Sequence, residues 1–428
     1  MNALATLLET GVRPNRLPDT AWLEAFLARP DRPGEPILLG LGEVWGRTPA
    51  ALVDALGAAP DAAHGYQLSM YGLPRLRSVL RGYIRDTHRI GTFEGAFEVA
   101  VSWTGTRLAM RDYAELLRDS GYRDRPLAVV AGPSWDYAGV LEPLGFRMAY
   151  LDVSRDGRWE PTAASVDAFA SGLSESPGLV VLNAQHNPTG RSWSREAVRA
   201  LVALAAEHRA AILVDDAYYG FDDPGEEPVS SVREILARPD AQDLTWLAVR
   251  SLGKQFNCNG WALGALTGPP PLLDTLVNRY RARHSFNTGG VLQDAMARWL
   301  EDRPAVEEYL RTERAAYRVR RRTVIDRLAG AGVPSDAVIS GPAGPYVLLP
   351  VPDAFRSGSR ADYLERCAVR AGVLMSDAWP ADRPLRPGAR GGHHVRMFIG
   401  REPATLAEAC DRLRSAGLLA GGDSDGRG

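Results

Sequence analysis

The segment between residues 178 and 214 constrains the fold more tightly than any other part of the chain. Two short apolar runs, Gly178–Leu182 and Ala211–Val214, flank the segment Arg195–Arg209, in which apolar residues recur at i, i+3, i+4 and i+7. That spacing gives a helix one apolar face, and Ser194 is well placed to cap its N-terminus. A strand, a helix and a strand in this order form a βαβ unit, so we expect an α/β fold built on a parallel sheet.

Further apolar runs show where this sheet continues and where it ends. Leu127–Ala131 and Leu244–Val249 have the length and composition of buried strands in the same sheet. After residue 290 the pattern changes to long helices that alternate with isolated strands, which is typical of an α+β domain. The elements predicted there are Val291–Leu300, Ala305–Leu328, Tyr346–Val351, Ala361–Ala371, Val395–Ile399 and Ala404–Ala416. The Pro- and Gly-rich segment Asp377–His394 is expected to be a loop, and the tail from about residue 421 is expected to be disordered.

Composition and charge exclude several classes of protein. The chain has 50 Lys and Arg residues against 52 Asp and Glu residues, and the net charge of −2 argues against a dedicated nucleic-acid-binding protein. The basic run Arg311–Arg322 is therefore interpreted as the solvated face of a long helix. Three cysteines without a Cys-x-x-Cys pair indicate neither a disulfide framework nor a metal site, and they favour a cytoplasmic compartment. We expect no membrane association, since we find neither a secretory signal nor an uncharged apolar run of roughly 20 residues.

The residues with the clearest chemical potential follow the predicted strands. Lys254 lies just after a strand, in a Ser- and Gly-rich turn, and a lysine buried there could form a Schiff base with an aldehyde. Asp215 ends a strand at the C-terminal edge of the sheet, where its carboxylate could keep a pyridine nitrogen protonated. Tyr218 follows three residues later and could donate to a phenolate-type oxygen. Taken singly, each residue also fits an ordinary role as a surface lysine, a helix-capping aspartate or a core tyrosine.

Three more segments at predicted strand ends could complete such a site. Asn187 opens an Asn-Pro-Thr-Gly turn, and its amide could donate into the site. The sequence Thr104-Gly105-Thr106 precedes a helical stretch, and small residues that open a helix form an anion site from backbone N–H groups. Trp135 could lie flat on an aromatic cofactor. An ordinary turn or a core tryptophan would leave the same pattern.

Taken in order, these motifs resemble the class I/II aminotransferases, the fold-type I enzymes that use pyridoxal 5′-phosphate. The resemblance covers roughly residues 35–417, and its motifs are Gly40–Glu43, Tyr71–Arg77, Thr104–Thr106, Pro133–Trp135, Asn187–Gly190, Asp215–Tyr218, Ser251–Lys254 with Gly260-Trp261 after it, and Val395–Phe398. It implies a large cofactor-binding domain over residues 46–290, with a mostly parallel sheet flanked by helices. It also implies a smaller α+β domain that combines residues 1–45 with residues 291–428.

The resemblance also implies a role for each candidate residue. Lys254 would form the internal aldimine and later move the proton at Cα of the substrate. The residues that would hold the cofactor or substrate are Asp215 at the pyridine nitrogen, Asn187 and Tyr218 at the ring 3′-oxygen, Trp135 on the ring face, Gly105, Thr106 and Ser251 at the phosphate, and Arg396 at the substrate α-carboxylate.

The expected reaction is amino-group transfer from an α-amino acid, in a homodimer with shared active sites. A tyrosine of the partner subunit usually reaches the phosphate in this family, and both Tyr66 and Tyr71 are candidates. The alternative keeps the cofactor but changes the outcome to elimination, replacement or cyclisation at Cβ or Cγ, with S-adenosylmethionine among the possible substrates. A second alternative is a non-catalytic ligand-binding relative, against which the intact cofactor residues argue.

The chain departs from the family pattern at two positions near Lys254. Gly253 stands where the family usually has a second serine, and Ala262 stands where it has an arginine that binds the phosphate. The strongest charged phosphate ligand is therefore missing from its usual place. Arg107 and Arg250 are the candidates to replace it. Without a replacement, we expect the cofactor to be bound less tightly than is usual in the family.

Overall fold

A computed structural model describes residues 18–154, 157–356, 358–378 and 393–419 of the chain. In chain order, its strands are β1 (Ile37–Leu38), β2 (Glu98–Ser102), β3 (Leu127–Gly132), β4 (Arg147–Asp152), β5 (Leu179–Leu182), β6 (Ala211–Asp215), β7 (Trp246–Ser251), β8 (Gly264–Gly268), β9 (Tyr346–Pro350), β10 (Val373–Leu374), β11 (Ser376–Asp377) and β12 (His394–Phe398). Its α-helices are α1 (Pro18–Leu27), α2 (Ala50–Asp54), α3 (Pro74–His88), α4 (Gly105–Asp119), α5 (Ala138–Leu141), α6 (Ala163–Ser171), α7 (Arg195–Glu207), α8 (Ser231–Leu236), α9 (Leu252–Gln255), α10 (Pro270–Thr275), α11 (Gly290–Glu301), α12 (Arg303–Gly330), α13 (Arg360–Arg366) and α14 (Pro403–Ser415).

A seven-stranded sheet in the order β2-β8-β7-β6-β5-β3-β4 forms the centre of the larger unit. The pairs from β7 to β4 are all parallel, whereas β8 is antiparallel to both of its neighbours. Strand β2 therefore points the same way as β7, and the C-terminal ends of β2, β3, β5, β6 and β7 share one edge. The predicted α/β class and the predicted βαβ unit, which is β5-α7-β6, are both confirmed.

The local sequence signals explain why these elements begin where they do. The Ser194 hydroxyl accepts a hydrogen bond from the backbone N–H of Ala197 and so caps helix α7 as predicted. Strands β3, β5 and β6 are buried along their whole length, because helices cover both faces of the sheet. A continuous apolar run, rather than an alternating pattern, is the expected sequence of such strands.

The larger unit extends past the predicted domain boundary at residue 290. It comprises residues 43–316 and 341–344, whereas the sequence analysis assigned residues 291–316 to the smaller domain. The physical reason is that α11 buries Met296 and Leu300 in the same core as Leu76 and Leu80 of α3. Burial of the apolar face of α11 in this core is favoured by the hydrophobic effect, so the helix packs with the larger unit.

The smaller unit contains the remaining described residues, 18–42, 317–340, 345–356, 358–378 and 393–419. Its sheet is antiparallel in the order β11-β12-β9, and β1 pairs with β10 in parallel. Asp377 and His394, the ends of the predicted loop, lie in strands β11 and β12, while residues 379–392 between them and the predicted tail from 421 lie outside the described residues.

The basic run on α12 is only partly solvated. Arg311 and Arg322 are exposed and pair with Glu308 and Asp326 of the same helix, in line with the prediction. Arg320 and Arg321, however, are buried, so the interpretation of the whole run as a solvated face was wrong. The methylene groups of an arginine side chain can pack in a core while its guanidinium contacts polar groups.

The described residues lack two kinds of feature. Helices long and apolar enough to cross a bilayer do not occur among them. Clusters of three or more His, Cys, Asp or Glu side chains that could bind a metal do not occur among them either.

Candidate active site

Lys254 lies at the edge of the sheet, on the short helix α9 that follows strand β7. Ser251, the last residue of β7, accepts a hydrogen bond from the backbone N–H of Lys254 at 3.3 Å and so fixes the start of α9. The Nζ atom of Lys254 lies 5.7 Å from the centre of the Tyr218 ring. Lys254 is also the only lysine of the whole chain, beside 49 arginines. Sequence reasoning missed this count, although it is visible without a structure.

Asp215 ends strand β6, the neighbour of β7, and its carboxylate is buried. The Tyr137 hydroxyl donates to Oδ2 at 2.7 Å, and the backbone N–H of Ala217 donates to Oδ1 at 3.1 Å. Burial raises the pKa of Asp215, while these two hydrogen bonds and the nearby charge of Lys254 act in the opposite direction. The net pKa shift is upward, and a cation placed beside this carboxyl group would oppose it, because a positive charge stabilises the ionised form.

Asn183 connects Asp215 to the Asn-Pro-Thr-Gly turn. Its side-chain amide donates to the Asp215 carbonyl oxygen at 2.8 Å, and its Oδ1 atom accepts from the Asn187 backbone N–H at 2.9 Å. The sequence analysis named neither Asn183 nor Tyr137. Asn183 is the first residue after β5, so its position at a strand end was a usable signal, and Tyr137 comes two residues after Trp135.

Trp135 has a cation over its ring. The guanidinium carbon of Arg107 lies 4.5 Å from the ring centre, and Arg107 also pairs with Asp136 at 2.9 Å. The Tyr137 ring meets Trp135 edge-on, with 5.2 Å between centres. Trp135 is therefore linked through Tyr137 to Asp215, and its ring is held by neighbours on two sides.

The turn Thr104–Thr106, which we call the phosphate turn, follows β2 and opens the 15-residue helix α4. Gly105 has φ +77°, a conformation that favours glycine, and a Cβ atom there would meet nothing within 4 Å. No side chain of the described residues caps this N-terminus. The Gly105 N–H, however, donates to the Ala262 carbonyl at 2.8 Å, so the next N–H groups of the helix are those available to an anion.

The surroundings of Gly253 and of Arg250 bear on the two departures from the family pattern. A Cβ atom at Gly253 would lie 2.9 Å from the Cα of Asn259 and 3.1 Å from the carbonyl oxygen of Cys258, so the backbone itself excludes a serine. Arg250 is buried and donates to the Thr87 hydroxyl at 2.8 Å, with its other terminal nitrogen against His88. Of the two candidates to replace the missing arginine, Arg250 is thus engaged elsewhere.

Arg396 belongs to the smaller unit, on strand β12. Its Nε atom donates to the Ser376 hydroxyl at 3.0 Å, and Nη2 donates to the Gly40 carbonyl at 3.2 Å. The guanidinium lies 4.3 Å from the centre of the Tyr346 ring. Arg396 is therefore held in one orientation by residues of its own unit, including Gly40 of the Gly40–Glu43 motif.

The residues of the larger unit fit pyridoxal 5′-phosphate. A primary amine, a buried carboxylate with a raised pKa and an uncapped helix N-terminus match the aldehyde, the pyridine nitrogen and the phosphate of this cofactor. All three lie at the C-terminal edge of one sheet, where α/β proteins bind their ligands.

Comparison with known proteins agrees with this chemistry. The family model described as aminotransferase class I and II matches residues 128–413, about two thirds of the chain. Arginine–pyruvate transaminase of Pseudomonas aeruginosa is 28% identical over 392 residues, which cover 90% of this chain and 91% of that protein. The 4-dedimethylamino-4-oxo-anhydrotetracycline transaminase of Streptomyces rimosus is 31% identical over 69% of this chain and 74% of its own length.

Solved structures show the same fold. A double mutant of Thermus thermophilus aspartate aminotransferase superposes with a TM-score of 0.76 at 20% identity, covering 95% of this chain and 97% of that one. An aminotransferase from Mycobacterium tuberculosis gives a TM-score of 0.75 at 22% identity, with the same coverage. With the family match, these findings identify the chain as a pyridoxal 5′-phosphate-dependent transferase that belongs to the class I and II aminotransferase family.

Proposed function

We propose that this chain transfers the amino group of an α-amino acid to a 2-oxo acid, with Lys254 as the residue that holds the cofactor and moves the substrate Cα proton. The observation that carries the proposal is that the only lysine of the chain stands beside the buried carboxylate of Asp215. An arginine cannot take over this work, because its guanidinium stays protonated with a pKa above about 12. The names of the relatives, which include an arginine–pyruvate transaminase, support the two substrate classes.

The roles proposed for the ring-binding residues follow from their contacts. Bound pyridoxal 5′-phosphate supplies an aldehyde that reacts with amines and a ring that withdraws electrons. Asp215 would keep the pyridine nitrogen protonated, and the hydrogen bonds from Tyr137 and Ala217 would orient its carboxylate. Asn187 and Tyr218 would donate to the ring oxygen.

Hydroxyl and N–H groups are proposed to bind the phosphate, and a guanidinium is proposed to bind the substrate α-carboxylate. Ser251 accepts from the Lys254 N–H and still has its own hydroxyl proton to donate to the phosphate. Thr106 would add a hydroxyl and a backbone N–H, and Gly105 would leave room for the anion to approach. Arg396 would bind the substrate α-carboxylate through a bidentate pair of hydrogen bonds.

We further propose a homodimer in which Tyr66, rather than Tyr71, reaches the partner's phosphate. Tyr71 is held within its own chain, because its hydroxyl contacts Asp274 at 3.1 Å and the Arg77 guanidinium covers its ring at 4.1 Å. Tyr66 is 76% exposed and lies 6.0 Å from the ring of Phe286, which is itself 69% exposed. Exposed aromatic side chains grouped in this way mark an interaction surface.

Mixing two inactive variants tests the shared site. In a hybrid of Lys254→Ala and Tyr66→Phe subunits, one of the two sites keeps both residues. Random pairing of equal amounts then gives about a quarter of the wild-type activity, since half of the dimers are hybrids with one intact site each. The matched mixture with Tyr71→Phe should show no such recovery pattern, since Tyr71→Phe alone should remain active. A Tyr66→Phe variant with full activity would contradict the assignment.

A cytoplasmic location is also part of the proposal. Cys258, Cys367 and Cys410 are all free and buried, a state that a reducing compartment maintains. Fractionation of the native cells, followed by detection of the chain with an antibody, tests this point. Recovery of the chain outside the cytoplasmic fraction would contradict it.

The activity itself is tested by a product assay on the purified chain loaded with pyridoxal 5′-phosphate. A panel of amino acids, each with pyruvate or 2-oxoglutarate as acceptor, should yield the corresponding oxo acids, identified by mass spectrometry. Borohydride reduction should attach the cofactor to a single peptide, the one that contains Lys254. Amino acid consumption that yields an unsaturated or cyclic product without an oxo acid would refute transamination.

A further inference from the structure

The phosphate turn lacks a charged side chain at the family position, so its binding strength depends on how firmly its neutral donors are held. Ala262 contributes only a carbonyl oxygen, which occupies the Gly105 N–H. The donors left are hydroxyl groups and the first N–H groups of α4. Donors of this kind bind an anion well only when the protein fixes them in advance. Cofactor affinity therefore depends on the contacts that fix the phosphate turn in place.

Trp103, the residue immediately before the turn, is held on two sides. Its indole Nε1–H donates to the Ser285 hydroxyl at 2.8 Å, and that hydroxyl donates in turn to the Phe286 carbonyl at 3.0 Å. The Arg281 guanidinium lies 4.5 Å from the indole ring centre. Trp103 is only 6% exposed, so neither contact is easily exchanged for water. We call Trp103, Arg281 and Ser285 the Trp103 clamp.

Arg281 fixes the clamp to the strand that leads into the turn. Its Nη1 atom donates to the Val101 carbonyl at 2.6 Å, two residues before Trp103. The arginine is fully buried, and its Nε and Nη2 atoms have no hydrogen-bond partner among the described residues. Burial lowers the pKa of Arg281 to about 10, an effect that the charge of Asp112 opposes. Burying a guanidinium with two unpaired nitrogen atoms costs free energy. The contact that a planar cation can make here, and that other side chains cannot, is the one with the face of the Trp103 ring.

The far side of the turn is tied to the same segment. Asp112 lies on α4, two helical turns after the phosphate turn, and its carboxylate lies 3.1 Å from Nε2 of His284. His284 is adjacent to Ser285 in the chain. The segment 281–285 therefore contacts β2, Trp103 and α4 together, which are the elements that enter and leave the phosphate turn.

We propose that the Trp103 clamp positions the phosphate turn and so replaces, by rigidity, part of the affinity that a charged arginine at position 262 would supply. The inference rests on the proposed function, since it takes the turn to bind the cofactor phosphate. Trp103, Arg281 and Ser285 are positioning residues, because they act through the turn and do not themselves face the cofactor.

Two variants remove the same hydrogen bond from opposite ends. Trp103→Phe keeps an aromatic ring for Arg281 but deletes the indole N–H, and Ser285→Ala deletes the acceptor. Each should weaken the binding of pyridoxal 5′-phosphate to the apoenzyme about fivefold to tenfold, as the loss of one buried hydrogen bond implies. The double variant should bind the cofactor no more weakly than the weaker of the two single variants, since the hydrogen bond that both changes remove can be lost only once.

The readout that identifies positioning is the comparison with pyridoxal, which has the same ring and aldehyde but no phosphate. Absorption titrations of the apoenzyme should show weaker binding of pyridoxal 5′-phosphate and unchanged binding of pyridoxal in both variants. Trp299→Phe and Ser231→Ala serve as matched controls, because Trp299 Nε1 and Ser231 Oγ have no hydrogen-bond partner among the described residues. Both controls should bind both compounds as the wild type does.

Several results would overturn the inference. Equal weakening for pyridoxal and its phosphate would show general damage to the site, and unchanged binding of both would show that the turn does not need the clamp. If Trp103→Phe fails to fold, Ser285→Ala alone decides, since it removes only a hydroxyl. A wild-type chain that fails to prefer pyridoxal 5′-phosphate over pyridoxal would refute the phosphate assignment and the clamp together, whereas a normal preference in every variant would refute the clamp alone.

Discussion

Deleting the hydroxyl of Tyr137 should slow catalysis while leaving the fold intact. The hydroxyl donates to Asp215 at 2.7 Å, and the two residues are only 2% and 6% exposed, so water has little access to replace the bond. A hydrogen bond to a charged group contributes about 1.5–3 kcal/mol. If that contribution persists in the transition state, its loss in Tyr137→Phe lowers kcat by about 10- to 150-fold.

The effect acts on the basicity of Asp215. Burial already raises the pKa of this carboxylate, and the Tyr137 hydrogen bond holds it back. In Tyr137→Phe the pKa rises further, so Asp215 would be less able to keep a pyridine nitrogen protonated. The cofactor ring would then be a weaker electron acceptor, which would slow the chemical step more than substrate binding. We therefore expect kcat to fall with little change in KM.

The assay is steady-state kinetics beside thermal unfolding, with Tyr113→Phe as the matched control. The Tyr113 hydroxyl is also buried in the larger unit, but it donates to the backbone carbonyl of Ile212 at 3.2 Å rather than to a carboxylate. Tyr113→Phe should lower the free energy of unfolding and leave kcat unchanged. A wild-type kcat in Tyr137→Phe, or the same kcat loss in both variants, would refute the reasoning.

Three further predictions concern the same site. Lys254→Arg keeps the positive charge but should abolish both turnover and borohydride attachment of the cofactor, because no other lysine exists; residual attachment to a side chain would contradict this. Asp215→Asn should remove one component of the pH dependence of apoprotein stability. The raised pKa makes the folded chain hold a proton that the unfolded chain loses, so this group destabilises the fold as the pH rises from the ordinary aspartate range, and the unfolding temperature should fall less in the variant as the pH is raised above about 4. Ala262→Arg should tighten cofactor binding about 10- to 100-fold, the value of a charge-assisted bond of roughly 1.5–3 kcal/mol, whereas Arg107→Ala should weaken it; equilibrium dialysis measures both, and no change in either would exclude a charged side chain from the phosphate.

The fold was readable from the sequence because its strongest signals are local. The continuous apolar runs of β3, β5 and β6 and the cap at Ser194 are properties of a few consecutive residues, and they predicted the sheet and its βαβ unit. The boundary at residue 290 misplaced α11, because a helix pattern tells which face is apolar but not which core it joins. The same limit applies to Arg320 and Arg321, whose burial depends on tertiary packing.

The candidate site was predictable to the extent that its residues follow strand ends. Lys254, Asp215 and Asn187 were named from such positions. Tyr137 was not, because a hydroxyl that contacts a carboxylate 78 residues away leaves no spacing pattern. Arg250 was named as a candidate phosphate ligand, but side chains alternate along a strand, so Arg250 and its neighbour Ser251 point to opposite faces of the sheet.

The tight approach at Gly253 limits which single substitutions this part of the site can accept. The Asn259 backbone lies where a serine Cβ would have to go, and backbone cannot move aside as a flexible side chain can. A Gly253→Ser substitution would therefore require the 258–259 backbone to shift. The Ala262 position has no such barrier of its own, because its left-handed φ of 53° already carries a Cβ atom. The two departures from the family pattern therefore differ in what a single substitution requires: an arginine at position 262 needs only a different side chain, whereas a serine at position 253 also needs a shift of the backbone.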